Sequence, residues 1–408
     1  MAFDLTAAAS VLKEDYKGPI REQLNMGTPL LAEIQKQSDM TQGKRIYIPL
    51  HIYRSEGIGA RADGGSLPTA YAQGYKEAVE NVAYQYGRIE VTLPTIESTK
   101  TDSGAFLRAV DAETKGITSE LKEDHDRQIA RNGLFGNPNE GVLVRTTDGA
   151  SSATTWTIDT PDVTSIRTLR VGMVVDVTDN AGAALTNGAG RVISAVTSAG
   201  VVTMGTANGH TDPGGALDTV ALGRVYRTGN KSNEVIGLPG IIDDSSTLHG
   251  LAPATYTFWK STNLNNSGTP RALSEDLMQQ TLDSIAADSG EEPDAIVCEY
   301  TQRRKFYALL SSMKRAVNTV ELKGGFTALT FNDTLPLIID RFCPTSVMYF
   351  INRKHLFLEQ MADWDWADQD GSVLSRVSGK PNFEAFLFKF CNLVTDRRNA
   401  FGKLADLA

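Results

Sequence analysis

KRIYIPLHIYR, residues 44–54, is the stretch whose reading decides the fold. Ile46, Ile48, Leu50 and Ile52 alternate with Tyr47, Pro49, His51 and Tyr53, the period-2 pattern of a strand with two chemically different faces. Pro49 has no N–H to give to a ladder, which predicts an edge strand. SEGIGARADGGSLPTAYAQG follows, residues 55–74, where Gly57, Gly59, Gly64 and Gly65 interrupt a charged segment that closes no core of its own. The return leg carries Val82, Tyr84 and Tyr86, then Ile89, Val91 and Leu93. Its phase slips by one residue at Gly87 and Arg88, which predicts a bulge there and a hinge where the arm leaves the body. At about 3.3 Å per residue, legs of a dozen residues reach on the order of 40 Å. An isolated two-stranded arm is marginal in water and its edges stay open for pairing, so this segment calls for a neighbouring subunit. The competing reading is a long surface loop on an ordinary globular body, but loops of this length without packing of their own are uncommon.

The flanking segments extend this picture. Residues 1–42 read as an N-terminal arm of short amphipathic pieces, Val11, Leu12 and Tyr16 in one and Leu30, Leu31 and Ile34 in the next, broken by Gly18-Pro19 and Gly27-Thr28-Pro29. Such an arm lies either along another subunit or on its own body. After the hairpin, Asp102 or Ser103 caps a helix that Asn132-Gly133 stops, about 45 Å long at 1.5 Å per residue. Its apolar positions Phe106, Val110, Ile117, Leu121 and Ile129 form a narrow stripe. Arg108, Asp111, Glu113, Lys115, Glu120, Lys122, Glu123 and Asp126 are expected to keep the rest of the circumference wet. A helix of this kind is a spine touching its body along one seam.

Between Gly141 and Gly229 there is no Lys, Glu, Gln, Phe or Cys, although the first four are present on both sides. VGMVVDV (171–177), RVISAVT (191–197) and VVTM (201–204) read as strands, the last two joined by Ser198-Ala199-Gly200, so residues 141–229 are expected to form an inserted all-β domain. From residue 230 the pattern turns mixed. Ser274 caps one helix and Thr301 another, with AIVC (295–298) as a buried strand between them and LPLIID, VMYFI and FEAFLFKFCNLV as further strands. The fold class is α+β.

Composition bounds the function. A net charge of −9 argues against a dedicated nucleic-acid binder, which shows a basic excess or stripe. Cys298, Cys343 and Cys391 are widely spaced among apolar neighbours and read as buried, reduced thiols. No segment approaches the 18 or more apolar residues of a membrane helix, and no signal sequence is evident, so the chain is expected in the cytoplasm of the cell that makes it. No phosphate-binding loop, zinc-binding helix, paired-cysteine site or nucleophile elbow occurs, and the five histidines are scattered. The acidic run DWDWADQDG (363–371) lacks the closing Glu of a calcium loop and reads as a polar turn with two packed tryptophans. The sequence predicts no enzyme, no cofactor and no metal.

The order of these parts, N-terminal arm, glycine-tipped extended hairpin, narrow-striped spine helix, then an α/β body, resembles the tailed-bacteriophage major capsid proteins of the HK97-like fold. GLPGI (237–241) is similar to the turn that follows the spine helix in that family, and LPLIIDRFCP followed by YFINRKHLFL (335–358) resembles its late strand pair. The resemblance implies an extended loop over residues 43–94, a peripheral domain with the spine helix over 95–140, and, over 230–408, an axial domain followed by the remaining peripheral strands. It also implies self-assembly into pentamers and hexamers of an icosahedral head around double-stranded DNA held by weak, non-specific contact, with no membrane involved. A scaffolding protein separate from this chain, a portal and a decoration protein are the other partners it suggests, and the virion is the final location. Subunit-interface candidates are Arg54, Arg61, Tyr71, Tyr75 and Tyr84. Two other readings stay open: a shell subunit of an encapsulin-type nanocompartment, and a β-rich binding or adhesion protein whose working part is 141–229.

Overall fold

The computed structural model describes residues 29–93, 103–147, 155–158, 163–215, 222–312, 319–321, 327–332, 334–368 and 373–408. It begins with a short helix, α1 (Pro29–Glu33), and strands β1 (Gln35–Gln37) and β2 (Thr41–Gln42). Leu30, Leu31 and Ile34 are buried in the main core, so this part of the N-terminal segment packs on its own chain. The piece expected around Val11, Leu12 and Tyr16 lies outside the described residues.

The alternation of residues 44–54 becomes β3 (Arg45–Tyr53), which pairs antiparallel with β4 (Gly74–Asn81) from Arg45 opposite Asn81 to Tyr53 opposite Gly74. Ile46, Ile48 and Leu50 point into the main core, which also takes Ala78 and Val82 from the return leg. The base of the hairpin is therefore anchored on its own body. β2 covers β3 only at Arg45 and Ile46, so Pro49 does sit on an unpaired margin while the base of its strand is flanked on both sides.

The expected bulge at Gly87 and Arg88 is absent. β5 (Ala83–Thr92) pairs in unbroken register, Ala83 opposite Cys391 to Thr92 opposite Asn382, and alternates without a slip, with Ala83, Gln85, Gly87 and Ile89 facing inward. Gly87 looked like a slip because its inward position is filled by another element: a Cβ there would lie 2.5 Å from Leu121 Cδ1 and 3.0 Å from Ile117 Cγ1. The break between arm and body falls at Val82, where the chain passes from one sheet to another.

Leu121 and Ile117 belong to the spine helix, α2 (Ser103–Arg131), 29 residues and about 43 Å long. It stops as expected, with Gly133 at φ +94°. Its last two turns are not wet. His125, Asp126, Arg127, Gln128 and Arg131 are all buried: Glu234 and Val235 meet Arg127 and Gln128, Trp364 stands edge-on to His125, and Asp340 faces Asp126. Gly237 fits against the helix end so closely that a Cβ would lie 2.5 Å from the carbonyl oxygens of Gln128 and Asn132.

The strands β6 (Val142–Arg145), β7 (Thr155–Thr157), β8 (Val174–Thr178), β9 (Arg191–Val196), β10 (Val201–Met204) and β11 (Arg224–Arg227) form one six-stranded sheet in the order β6-β11-β8-β9-β10-β7. It has a core of its own built on Leu143, Val144, Trp156, Val175, Val177, Ile193, Val202 and Val225. Its junction with the spine is polar. Glu140 accepts from Tyr226 Oη at 2.8 Å and pairs with Arg224, and Asp124 of the helix lies 3.9 Å from Arg227.

A single-turn helix, α3 (Leu238–Ile241), leads into β12 (Thr262–Leu264), α4 (Glu275–Ser289), β13 (Ala295–Cys298), α5 (Tyr300–Ser312), β14 (Thr319–Glu321), β15 (Thr327–Phe331), β16 (Leu335–Ile339) and β17 (Met348–Ile351). Ser274 caps α4 by accepting from the Leu277 N–H, and Gly290 ends it in the left-handed region at φ 74°. The long strand β18 (Leu356–Trp366) follows, then β19 (Ser375–Arg376), β20 (Asn382–Thr395) and β21 (Gly402–Leu404). The seven-stranded axial sheet runs β12-β21-β17-β13-β16-β15-β14, with α4 and α5 packed on it through Met278, Leu282, Ile285 and Phe306. β18 and β20 pair with β1, β19 and β5 to make the peripheral sheet.

Two expectations change here. The chain does not finish in the peripheral strands: β21 returns to the axial sheet between β12 and β17. The DWDW stretch is the end of β18 rather than a turn, with Trp364 and Trp366 buried against Ile89 and Leu387. All three cysteines are buried and free.

Candidate subunit interface

The hairpin presents its tip to solvent. Ile58 is 83% and Leu67 87% exposed, with Tyr71 at 62% and Tyr75 at 74%. The described residues leave these bulky groups largely uncovered, although the tip is ordered by local bonds. Arg61 donates from Nε to the Ser66 carbonyl at 3.0 Å and from Nη1 to that of Ala60 at 2.9 Å, and Ser55 Oγ donates to the Tyr71 carbonyl at 2.7 Å. Tyr75 stacks against His51 with ring centroids 5.1 Å apart, and His51 in turn bonds Gln73 at 2.7 Å. Arg54 is exposed where β3 gives way to the tip.

Arg54, Arg61, Tyr71 and Tyr75 thus share the arm. Tyr84 does not. It lies on β5 in the peripheral sheet, edge-to-face with Phe390 at 5.0 Å. Around it the outward side of that sheet carries Tyr86, opposite Phe388, and Phe386, opposite Arg88. The opposite side, with Gly87, Ile89, Ala385 and Leu387, packs on the spine helix and β18. This aromatic face was missing from the sequence reading, although the period-2 run Phe386, Phe388, Phe390 in FEAFLFKF carried its signal.

Charged groups fasten the arm's root and the spine. His249 Nδ1 meets Glu80 at 3.1 Å, and the Val79 N–H donates to the His249 carbonyl at 3.0 Å, so β4 is tied to the loop before β12. Arg127 bridges Asp124 at 3.0 Å and Glu234 at 2.6 Å within the protein. Burial works against the Asp124 carboxylate, but the guanidiniums of Arg127 and Arg227 outweigh it and hold the group below its usual range. Glu234 is raised by burial, with Arg127 opposing. A second cluster carries excess negative charge. Asp126 of the spine faces Asp340 after β16, both buried, and burial followed by repulsion from Asp340 pushes Asp126 well above the carboxylate range. Burial raises Asp340 to about 6 against the pull of the Phe342 N–H and Arg341. Both shifts favour a protonated carboxyl in the pair, Asp126 the more strongly. A cleft of about 640 Å³ runs beside the junction of β4 and β5, lined by the amides of Asn81, Gln85, Gln128 and Asn392. Among the described residues there is no cluster of His, Cys, Asp and Glu that would hold a metal ion, and no helix long and apolar enough to cross a membrane.

Residues 3–370 match the family model described as SU10 major capsid protein. The chain belongs to the SU10 major capsid protein family. It is a phage major capsid protein, and as such part of the virion. Its fold is similar to that in the capsid asymmetric unit of cyanophage A-1(L), with a TM-score of 0.53 at 12% identity over 93% of each chain. Weaker likenesses are to the capsid of phage XM1, TM-score 0.42 at 9% identity over 93% of this chain and 92% of that one, and to an encapsulin complex of Synechococcus elongatus, TM-score 0.45 at 8% identity over 93% and 86%. No curated protein matches by sequence. The α+β architecture of this capsid protein is HK97-like.

Proposed function

We propose that this capsid protein builds an icosahedral phage head from pentamers and hexamers, with the hairpin of each subunit laid across the peripheral sheet and spine of the next. The carrying observation is the division of the arm at its middle. Ile46, Ile48 and Leu50 anchor its base in the subunit's own core, while Tyr53, Ile58, Leu67, Tyr71 and Tyr75 stay in water. Covering the three tyrosines removes on the order of 300 Å² of surface per arm, roughly 7 kcal/mol gross at 25 cal/mol per Å² before ordering costs. Tyr84 and its aromatic neighbours on β5 and β20 offer the apolar counterpart. Each contact is modest, but a subunit in a closed shell breaks several at once in order to leave.

Double-stranded DNA fills the head without sequence-specific contact, in keeping with the net charge of −9. A separate scaffolding protein guides closure, a portal occupies one vertex, and the β6–β11 sheet, with a core independent of the rest, is an insertion that decorates or bridges subunits. The test is excision of the tip, joining Ser55 to Gly74 through Asn-Gly. The expected product is a folded subunit that does not form closed shells in sedimentation velocity. Normal shells from this variant would show the tip to be dispensable and refute the proposed role.

A further inference from the structure

We propose that the joint between the axial and peripheral sheets carries a proton-operated latch: His355 bridges two carboxylates and ties both crossing segments to the end of α4 while its ring holds two protons, and frees them when it loses one. The latch lies within one subunit, so it goes beyond the shell reading and does not depend on it. The chain passes from the axial to the peripheral sheet at residues 352–355, between β17 and β18, and returns at 396–401, between β20 and β21. Leu356 pairs with Thr395, so the two crossings leave the peripheral sheet side by side. His355 stands in the first and reaches out from both ring nitrogens. Nδ1 lies 2.8 Å from Asp396 Oδ1 in the second crossing, and Nε2 lies 2.9 Å from Oε2 of Glu291, which follows α4.

A neutral imidazole has one N–H and one lone pair, so it can donate to only one of two carboxylates and turns a lone pair toward the other. The imidazolium donates to both. Glu291 gathers the remaining strands of the joint: it accepts from Asn352 Nδ2 of the first crossing at 3.2 Å and pairs with Arg397 of the second, whose guanidinium also donates to the Ser289 carbonyl. Among these groups His355 is the one whose ordinary range lies near neutrality. Its ring is faced by Asp396 and Glu291, while Arg397 and Lys354 bear on Glu291 from the two crossings. The bond to Asp396 raises His355 above its ordinary 6.5, burial opposes, and the bond to Glu291 adds to the rise. A raised histidine contributes fully below 6.5 and loses that contribution as pH climbs through its folded value. Arg353 stays paired with Asp294, at 3.1 Å, and with Glu33, so the first crossing keeps an anchor and the opening is local.

The test is amide hydrogen exchange of the full chain read by mass spectrometry between about pH 6 and pH 9, with rates corrected for their intrinsic pH dependence. Peptides covering 352–355 and 396–401 are expected to lose about tenfold in protection across this range relative to a control peptide from β9 and β10. His355→Gln, which cannot donate to both carboxylates as a cation does, should be poorly protected at both ends of the range. His355→Lys keeps the charge and more than two donors without titrating there, and should stay protected throughout. Asp396→Asn removes one of the charges that hold the proton and should move the loss to lower pH. A loss shared equally by the control peptide, a His355→Gln profile like the wild type, or a His355→Lys profile that falls like the wild type would overturn the proposal. Should His355→Gln not fold, an unmoved transition in Asp396→Asn would overturn it alone. Any of these outcomes leaves the shell reading standing, because the measurement reads contacts inside one subunit.

Discussion

Replacing Asp340 by Asn should stabilise the subunit at neutral pH and leave it nearly unchanged in acid. In the wild type the two buried carboxyl groups lie against each other, while Asp340 Oδ1 accepts the Phe342 N–H at 2.7 Å. Asparagine keeps that acceptor and removes the charge that burial disfavours. The sign follows from the direction of the shift. An acid whose folded pKa is raised contributes most below its ordinary value of 3.8 and loses that contribution as pH climbs through about 6. At about 1.4 kcal/mol per pH unit, that interval corresponds to roughly 3 kcal/mol of strain at pH 7, of which the substitution should relieve about 1–3 kcal/mol. Guanidinium unfolding of tip-excised subunits, which are expected to stay unassembled, measures this between pH 4 and pH 8. His125 titrates in the opposite sense: burial first, then repulsion from Lys389 and Lys36, pushes it well below 6.5, so its contribution is lost as pH falls. The variant-minus-wild-type difference removes that background. A difference that rises from near zero at pH 4 to its full value by pH 7 is expected; a difference independent of pH, or a loss of stability at pH 7, would refute this account of the pair.

Two further outcomes follow from packing. Gly237→Ala forces a methyl within 2.5 Å of the Gln128 and Asn132 carbonyl oxygens and should cost about 3 kcal/mol in thermal or denaturant unfolding, whereas Gly43→Ala, at φ +60° with nothing within 4 Å, should cost about 1 kcal/mol; equal effects would mean the close approach at the spine's end is absent. Burial raises Cys298 to about 12 and Cys391 to about 11, and pushes Cys343 well above the thiol range, so a thiol reagent should label none of them in the folded subunit and all three after unfolding. Rapid labelling of the folded form would contradict the burial of these strands.

Much of the architecture was legible because it rests on local periodicity. Ile46, Ile48 and Leu50 announced their strand by alternation, Ser274 opened its helix by capping chemistry, and Asn132-Gly133 stopped the spine where a left-handed residue was needed. What local pattern could not supply were the partners. Gly87 read as a slip because a missing side chain looks like a phase error until Leu121 is seen filling the space. Asp126 read as solvated because helical charge usually is, and only the fold brings Asp340 against it from residues far along the chain. The interface candidates show the same limit. The tip's exposed tyrosines were visible in a loop with nothing to pack on, but the aromatic face around Tyr84 needs β5 and β20 side by side.

The central claim is that the exposed tip exists to be covered by another copy of this chain. Electron microscopy of the full-length chain expressed with and without a scaffolding protein tests it most directly. Closed shells in at least one condition, with density for the hairpin lying over a neighbouring peripheral sheet, are predicted. A folded sample that yields only subunit-sized particles in every condition, or shells in which the hairpin contacts no neighbour, would contradict it.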